Sequence, residues 1–293
     1  MPSLKEVKNR ITSVISTQQI TKAMRMVAAS KLRRSQDKIH QIRPFAGKLQ
    51  GIVSNLTASV GLDNDNDWYT TKRSENRILV VVITSDRGLC GAFNSTVLKA
   101  AIKVIQEKYT AQFNKGNVTI LPLGKRSLEY FTKRKFSCQD SFWGIFGHLN
   151  FENASKAGEH IIETYKTGGY DKVEIIYNEF KNVATQVLRV EQFLPMKLES
   201  SSAASAPDYI FEPNAEEVLA GLIPQMLNVQ LYRAILESNA AEHAARMTAM
   251  DKASENAGEL LKELKLVYNR SRQAAITKEI LEIVGGAEAL KSA

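Results

Sequence analysis

Apolar residues at the start of the chain fall at Leu4, Val7, Ile11 and Val14. This 3-4-3 spacing draws one narrow stripe along an α-helix and matches a coiled-coil seam. The stripe blurs over residues 16–38, where Ile20, Met24 and Val27 alternate with Ala23, Ala28 and Ala29. It returns as Ile39, Ile42, Ala46, Leu49, Val53, Leu56 and Val60. Ser3 with Glu6 three positions on forms a capping-box pattern that sets the helix start. Pro44 removes one ladder bond and is expected to bend the helix near His40, with Gly47 and Gly51 weakening it further. A helix of about 55 residues would measure roughly 80 Å, a rod that few compact domains need.

The period then changes. Residues 61–76 are polar and turn-rich and read as a linker. Residues 77–84 (Arg-Ile-Leu-Val-Val-Val-Ile-Thr) read as a buried strand, 95–113 as a helix, 118–123 as a second strand and 125–134 as a short helix. Residues 151–166 are helical again, and 172–180 and 185–193 are further strands close enough in sequence to form an antiparallel pair. Strands alternating with helices imply a mainly parallel sheet with right-handed crossovers.

Residues 200–213 read as a second linker. Asn214 with Glu217 repeats the capping pattern, and helix signals continue to about Leu290. The stripe there begins at Val218, Leu222, Leu231 and Ile235, and is expected to continue as Ala253, Ala257, Leu260, Leu264, Val267, Ser271 and Ala274. After a phase shift it resumes as Ile276, Ile280, Ile283, Ala287 and Leu290.

The fold class that follows is α/β with long helices: an antiparallel coiled coil of the N- and C-terminal helices plus a Rossmann-like α/β domain. The divisions are 1–60, 77–195 and 214–290. Neither terminal stripe can be buried alone, so the two helices should wind around each other, left-handed given the seven-residue repeat. The C-terminal helix is the longer, and its tip should extend past its partner.

Composition narrows the function classes. The longest apolar run, 78–83, is far too short to cross a bilayer, for which about 20 residues are needed. The first residues lack the apolar core of a secretory signal, and an organelle transit peptide is not expected. Cys90 and Cys138 are too few for a disulfide framework, as in a protein of a reducing compartment. The net charge of +8 is concentrated at one end: residues 1–50 hold eleven Lys/Arg against Glu6 and Asp37. That segment asks for an acidic partner, whether nucleic acid, an acidic protein surface or anionic lipid. It has Phe45 as its single aromatic and no helix-turn-helix punctuation, so nothing in it would read bases.

The sequence carries no recognisable catalytic pattern. Residues 85–94 (Ser-Asp-Arg-Gly-Leu-Cys-Gly-Ala-Phe-Asn) place glycines after the first strand, where a doubly wound fold binds phosphate, but match neither phosphate-loop pattern. Glycines shaping a tight turn are the simpler reading. Cys90 stands at a helix entry that could depress its pKa, yet has no nearby histidine in sequence. His40, His148, His160 and His243 lack metal-ligand spacing, and Asp171, Glu174 and Glu179 have no partner base. No cofactor, metal or catalytic residue is expected.

Residues 20–31 (Ile-Thr-Lys-Ala-Met-Arg-Met-Val-Ala-Ala-Ser-Lys) strongly resemble the N-terminal helix signature of the gamma subunits of F-type ATP synthases. So do 85–94 and 274–287 (Ala-Ala-Ile-Thr-Lys-Glu-Ile-Leu-Glu-Ile-Val-Gly-Gly-Ala), and the likeness spans essentially the whole chain. The resemblance implies a non-catalytic central-stalk rotor that transmits torque between proton flow through the membrane c ring and the catalytic beta subunits. The implied partners are the alpha and beta subunits, the epsilon subunit and the c-subunit ring. Membrane association would then be indirect, at the cytoplasmic face of a bacterial inner membrane, with no nucleic acid partner.

The resemblance also implies residue roles. Met24 and Arg246 match family positions at the shaft–beta contact, and Gln273, Thr277 and Glu279 match polar positions that contact beta loops. Arg33 and Arg34, with Arg10, Lys22, Arg25 and Lys31, are candidates to face an acidic loop of beta; the Arg25 position varies in the family and is given no special role. Plant chloroplast members carry an inserted segment with a regulatory cysteine pair. Residues 189–213 hold no cysteine, so thiol control of that kind is not expected. A basic coiled-coil protein associated with nucleic acid is the reading from a different class.

Overall fold

The computed structural model describes residues 3–60, 68–196, 212 and 214–291; of the proposed linkers, 61–67, 200–211 and 213 lie outside the described residues. The chain separates into two compact units, one formed by Met1–Ala28 with Met247–Ala293 and the other by Ala29–Arg246. Two helices contribute to both: α1 (Leu4–Val60) and α6 (Ala215–Lys291). Pro44 and Pro224 are both accommodated inside these helices.

The first unit is a pair of antiparallel helices. The expected capping box is formed: Glu6 N donates to Ser3 Oγ at 3.2 Å and Ser3 N to Glu6 Oε2 at 3.0 Å. Leu4, Val7, Ile11 and Val14 turn inward as their spacing requires. The inward stripe then continues through Gln18, Thr21, Met24 and Ala28, with Arg25 exposed at its flank. The stripe had blurred because its positions become polar, and the opposite helix answers them. Thr21 Oγ1 meets Ser254 Oγ at 2.7 Å in a buried bond, Gln18 Nε2 donates to Ser254 O at 3.2 Å, and Arg25 pairs with Asp251 at 2.9 Å. Partner numbers rise on α6 as they fall on α1, which is the antiparallel sense.

On α6 the seam differs by one residue at alternate positions from the sequence expectation. The inward positions are Met250, Ser254, Ala257, Leu261, Leu264, Tyr268, Ser271 and Ala275, while Leu260 and Val267 are exposed. Leu260–Leu261, Val267–Tyr268 and Ala274–Ala275 are adjacent pairs of non-polar residues, so either member satisfies a heptad on paper. Gly258 keeps room for the polar contact: a Cβ there would stand 3.1 Å from Gln18 Nε2. Beyond Ala275 every side chain through Ala287 is exposed.

The second unit contains the α/β fold. Strands β1 (Ile78–Ile83), β2 (Val118–Leu123), β3 (Ser137–Cys138), β4 (Lys172–Phe180) and β5 (Gln186–Leu194) form one sheet in the order β3-β2-β1-β4-β5. All neighbours are parallel except the antiparallel β4–β5 pair. Helices α2 (Phe93–Lys108), α3 (Thr110–Asn114), α4 (Lys125–Lys133) and α5 (Phe151–Lys166) make the connections, with a short 3-10 turn at Ile145–His148. The expected helix over 95–113 is therefore two helices meeting at Tyr109, whose buried hydroxyl donates to Glu174 Oε1 at 2.7 Å. Ile78, Val80 and Val82 on one face of β1 pack with Val97, Ala101 and Ile105 from α2, with Tyr109 at the α2–α3 junction and with Phe131 from α4. β5 is an edge strand among the described residues and exposes Leu188 and Val190.

Between residues 226 and 244 nearly every side chain of α6 is buried, on all sides of the helix. One neighbour is α5, which approaches so closely that a Cβ on Gly158 would lie 2.1 Å from Asn228 Oδ1. Glu237, 3% exposed, sits inside this stretch and binds both α1 and β4. It accepts from Arg43 Nε at 2.9 Å and Nη2 at 3.0 Å, and from Phe180 N at 3.2 Å. A buried carboxylate is tolerable only with such a set of donors. Arg43→Ala should cost about 3 kcal/mol or more, because it strands that charge. Arg43→Met with Glu237→Leu should recover most of the loss, and melting temperatures of the variants check both values.

Candidate functional site

Sheet order reverses between β1 and β4, which makes the carboxyl end of β1 the switch point where doubly wound folds bind ligands. Residues 85–94 lie there, but their polar groups are engaged within the chain. Ser85 N donates to Asn94 Oδ1 at 2.9 Å, Ser85 Oγ to Arg87 O at 2.6 Å, and Asn94 Nδ2 to Cys90 Sγ at 3.2 Å. Leu89 and Gly91 take positive φ, 65° and 57°. Cys90 is 1% exposed and burial pushes its thiol up, the reverse of an activated cysteine.

Arg246 reaches this loop from α6. Its guanidinium donates to Gly88 O and, at 3.2 Å, to Arg87 O, and it pairs with Glu242 Oε1 at 2.5 Å. Burial raises the Glu242 carboxyl against the lowering effect of Arg246. Glu242 escaped the sequence search, although an acid four residues before a base on one helix face is a readable ion-pair signal. His243, beside it, is pulled down to about 4, by burial first and then by the charges of Lys31 and Arg246, and its Nδ1 has no hydrogen-bond partner.

The acids Asp171, Glu174 and Glu179 all have structural partners. Asp171 accepts from the backbone N–H groups of Asn76 and Arg77, Glu174 from Tyr109, and Glu179 from Arg189.

The remaining residues singled out by resemblance are dispersed along the two long helices. Met24 is half-buried; Arg33 and Arg34 are exposed on α1. Gln273, Thr277 and Glu279 are exposed on α6, where Thr277 Oγ1 donates to Gln273 O at 2.9 Å. Around them Ile276, Ile280, Leu281, Ile283 and Val284 are each about half exposed or more, up to 72% for Ile283. Arg25 is committed to Asp251 in a pair open to solvent, worth at most about 1 kcal/mol.

A family model described as ATP synthase matches residues 3–290. The ATP synthase gamma chain of Cytophaga hutchinsonii is 58% identical over 296 residues, covering 100% of both chains. This chain belongs to the ATP synthase gamma family. The gamma chain of Flavobacterium johnsoniae is 50% identical over 293 residues, with 99% of each chain covered.

Among solved structures, a chain of the Euglena gracilis mitochondrial ATP synthase, from a structure of its OSCP, F1 and c-ring, superposes with a TM-score of 0.66. It shares 22% identity, with 98% of this chain and 94% of that one covered, and the likeness is one of fold. A chain of the Tetrahymena thermophila central stalk and c-ring gives a TM-score of 0.58 at 25% identity, covering 80% and 99%. Among the described residues, no helix is long and apolar enough to cross a membrane.

His243 generates a pH prediction. The unfolded chain takes up this proton near pH 6.5, whereas the folded chain resists until about pH 4. Stability present above pH 6.5 should therefore fall as pH drops toward 4, by on the order of 2–3 kcal/mol from this group. His243→Gln should flatten that slope in thermal melts recorded between pH 7 and 4.5.

Proposed function

We propose that this chain is the central-stalk rotor of an F-type ATP synthase and carries torque between a membrane c ring and catalytic beta subunits without catalysing a reaction itself. The observation that carries the reading is the exposed C-terminal run of α6, Ile276 to Val284, on a helix whose preceding residues are locked in a two-helix seam. Five large apolar side chains left in water on one helix end mark a surface that belongs inside a partner. An apolar bearing suits rotation because non-directional contacts present no hydrogen bonds to break at each step.

The alpha and beta subunits form the surrounding ring in this reading, and the epsilon subunit and the c ring complete the rotor. The chain is peripheral, at the cytoplasmic face of a bacterial inner membrane, and is held there through the c ring. Met24, Arg33, Arg34, Gln273, Thr277 and Glu279 are assigned to direct contact with the beta subunits. Arg246 is assigned to the same contact, with its guanidinium engaged on residues 87 and 88. Family membership leaves the nucleic-acid reading of the basic segment without support.

Reconstitution with alpha and beta subunits tests the proposal: ATPase activity should depend on adding this chain at one copy per three alpha and three beta. Arg33→Glu with Arg34→Glu should lower ATP-driven proton pumping several-fold in membranes carrying the whole complex, since reversing both charges replaces attraction to an acidic loop by repulsion. Undiminished pumping would remove those two arginines from the contact.

A further inference from the structure

The groove between α2 and α4 carries more positive charge than the fold has a use for. It has a volume of about 540 Å³, and its charged and aromatic lining is Lys99 from α2 with Arg126, Glu129, Tyr130, Lys133 and Arg134 from α4 and its C-terminal end. Glu129, the one acid in this lining, is already shared between Lys125 at 3.9 Å and Arg126 at 3.1 Å. Among the described residues no carboxylate pairs with Lys99, Lys133 or Arg134, all three exposed.

Helix stability accounts for only part of this pattern. Lys133 and Arg134 at the end of α4 suit its negative pole. Arg126 stands in the first turn, which holds no acid, at the pole where a cation is unfavourable. Lys99 belongs to a different helix and faces the same groove. Arg134 is also held ready: its guanidinium lies over the Tyr130 ring, 3.6 Å from the centroid, and one donor reaches Tyr130 O at 3.5 Å. A guanidinium stacked in this way keeps the other N–H groups of its edge free for an anion.

We propose that this groove binds a small polyphosphate anion, two or three linked phosphates of the kind that form the tail of a nucleoside triphosphate. A cleft lined by one sign of charge focuses its field on an entering counter-ion, and the volume is that of a small-molecule site. Arg126 and the Lys133–Arg134 pair are separated by about 10–12 Å along α4, more than a single phosphate can bridge. Phosphates concentrate charge on a short chain, and two of the four cations are arginines, whose fork meets phosphate with paired bonds. The inference rests on the groove alone and does not require the central-stalk reading.

Titration calorimetry of the full chain with tripolyphosphate, ATP and inorganic phosphate, all without magnesium, tests the proposal. Tripolyphosphate should saturate a single site and bind about tenfold or more tightly than inorganic phosphate. Arg134→Ala should weaken it about tenfold, and Arg134→Lys should recover only part, since lysine brings the charge without the fork. Lys99→Ala with Lys133→Ala should also cost about tenfold. Lys115→Ala removes the same unit of charge from an exposed residue outside the groove and should leave binding unchanged. ATP binding as tightly as tripolyphosphate, or more so, assigns the site to a nucleotide tail; weaker ATP binding assigns it to a free phosphate chain, and both uphold the proposal. Absence of saturable binding would overturn it, and so would a loss in Lys115→Ala equal to that in Arg134→Ala. Should Arg134→Ala lower the melting temperature, the Lys99 and Lys133 double variant, with no ion pair to lose among the described residues, decides.

Discussion

One helix must satisfy two different kinds of neighbour, and the rest of the structure depends on its doing so. Between residues 226 and 244 α6 is buried on all sides, and Leu227, Leu231, Ile235 and Leu236 are each at most 1% exposed. Each such side chain contributes about 1.5–3 kcal/mol by leaving water, so this stretch is the anchor of the α/β unit. From Met250 on, the same helix offers only a narrow stripe, broken by Ser254 and Ser271. The two buried carboxylates carried through the anchor are matched where they lie. Glu237 is met by Arg43 and the Phe180 amide, and Glu242 by Arg246.

Much of this was legible in the sequence, and the failures have specific physical causes. Strands at Ile78–Ile83, Val118–Leu123 and Lys172–Phe180 announced themselves because apolar runs bounded by turn residues have few other uses. The two-residue strand Ser137–Cys138 is too short to carry a period and was invisible. The blurred stretch of α1 hid a continuing seam, since Gln18 and Thr21 occupy inward positions and become intelligible only beside Ser254. Hydrophobicity is a property of one residue, whereas a buried polar pair is a property of two. Around Leu260 the error was of a different sort: adjacent non-polar residues left the helix phase undetermined by one position, and the packing of the opposite helix decided it.

The candidate surfaces were legible unevenly for the same reason. Charge and exposed apolar side chains can be read one residue at a time, which is why the basic segment and the C-terminal run stood out. The loop after β1 was noticed for its glycines and weighed as a phosphate site, but its glycine-bearing turn serves an internal network instead. Asn94 and Ser85 face each other across nine residues, and Arg246 arrives from a helix more than 150 residues away. No local pattern could have joined them, although the Glu242–Arg246 spacing shows one half of the arrangement.

The exposed edge at β5 has a consequence for the life of the chain before assembly. A nine-residue strand at the sheet edge among the described residues, with Leu188 and Val190 exposed, is a template that another copy's strand can extend. Newly made protein waiting for its companions therefore faces a race between docking and self-association.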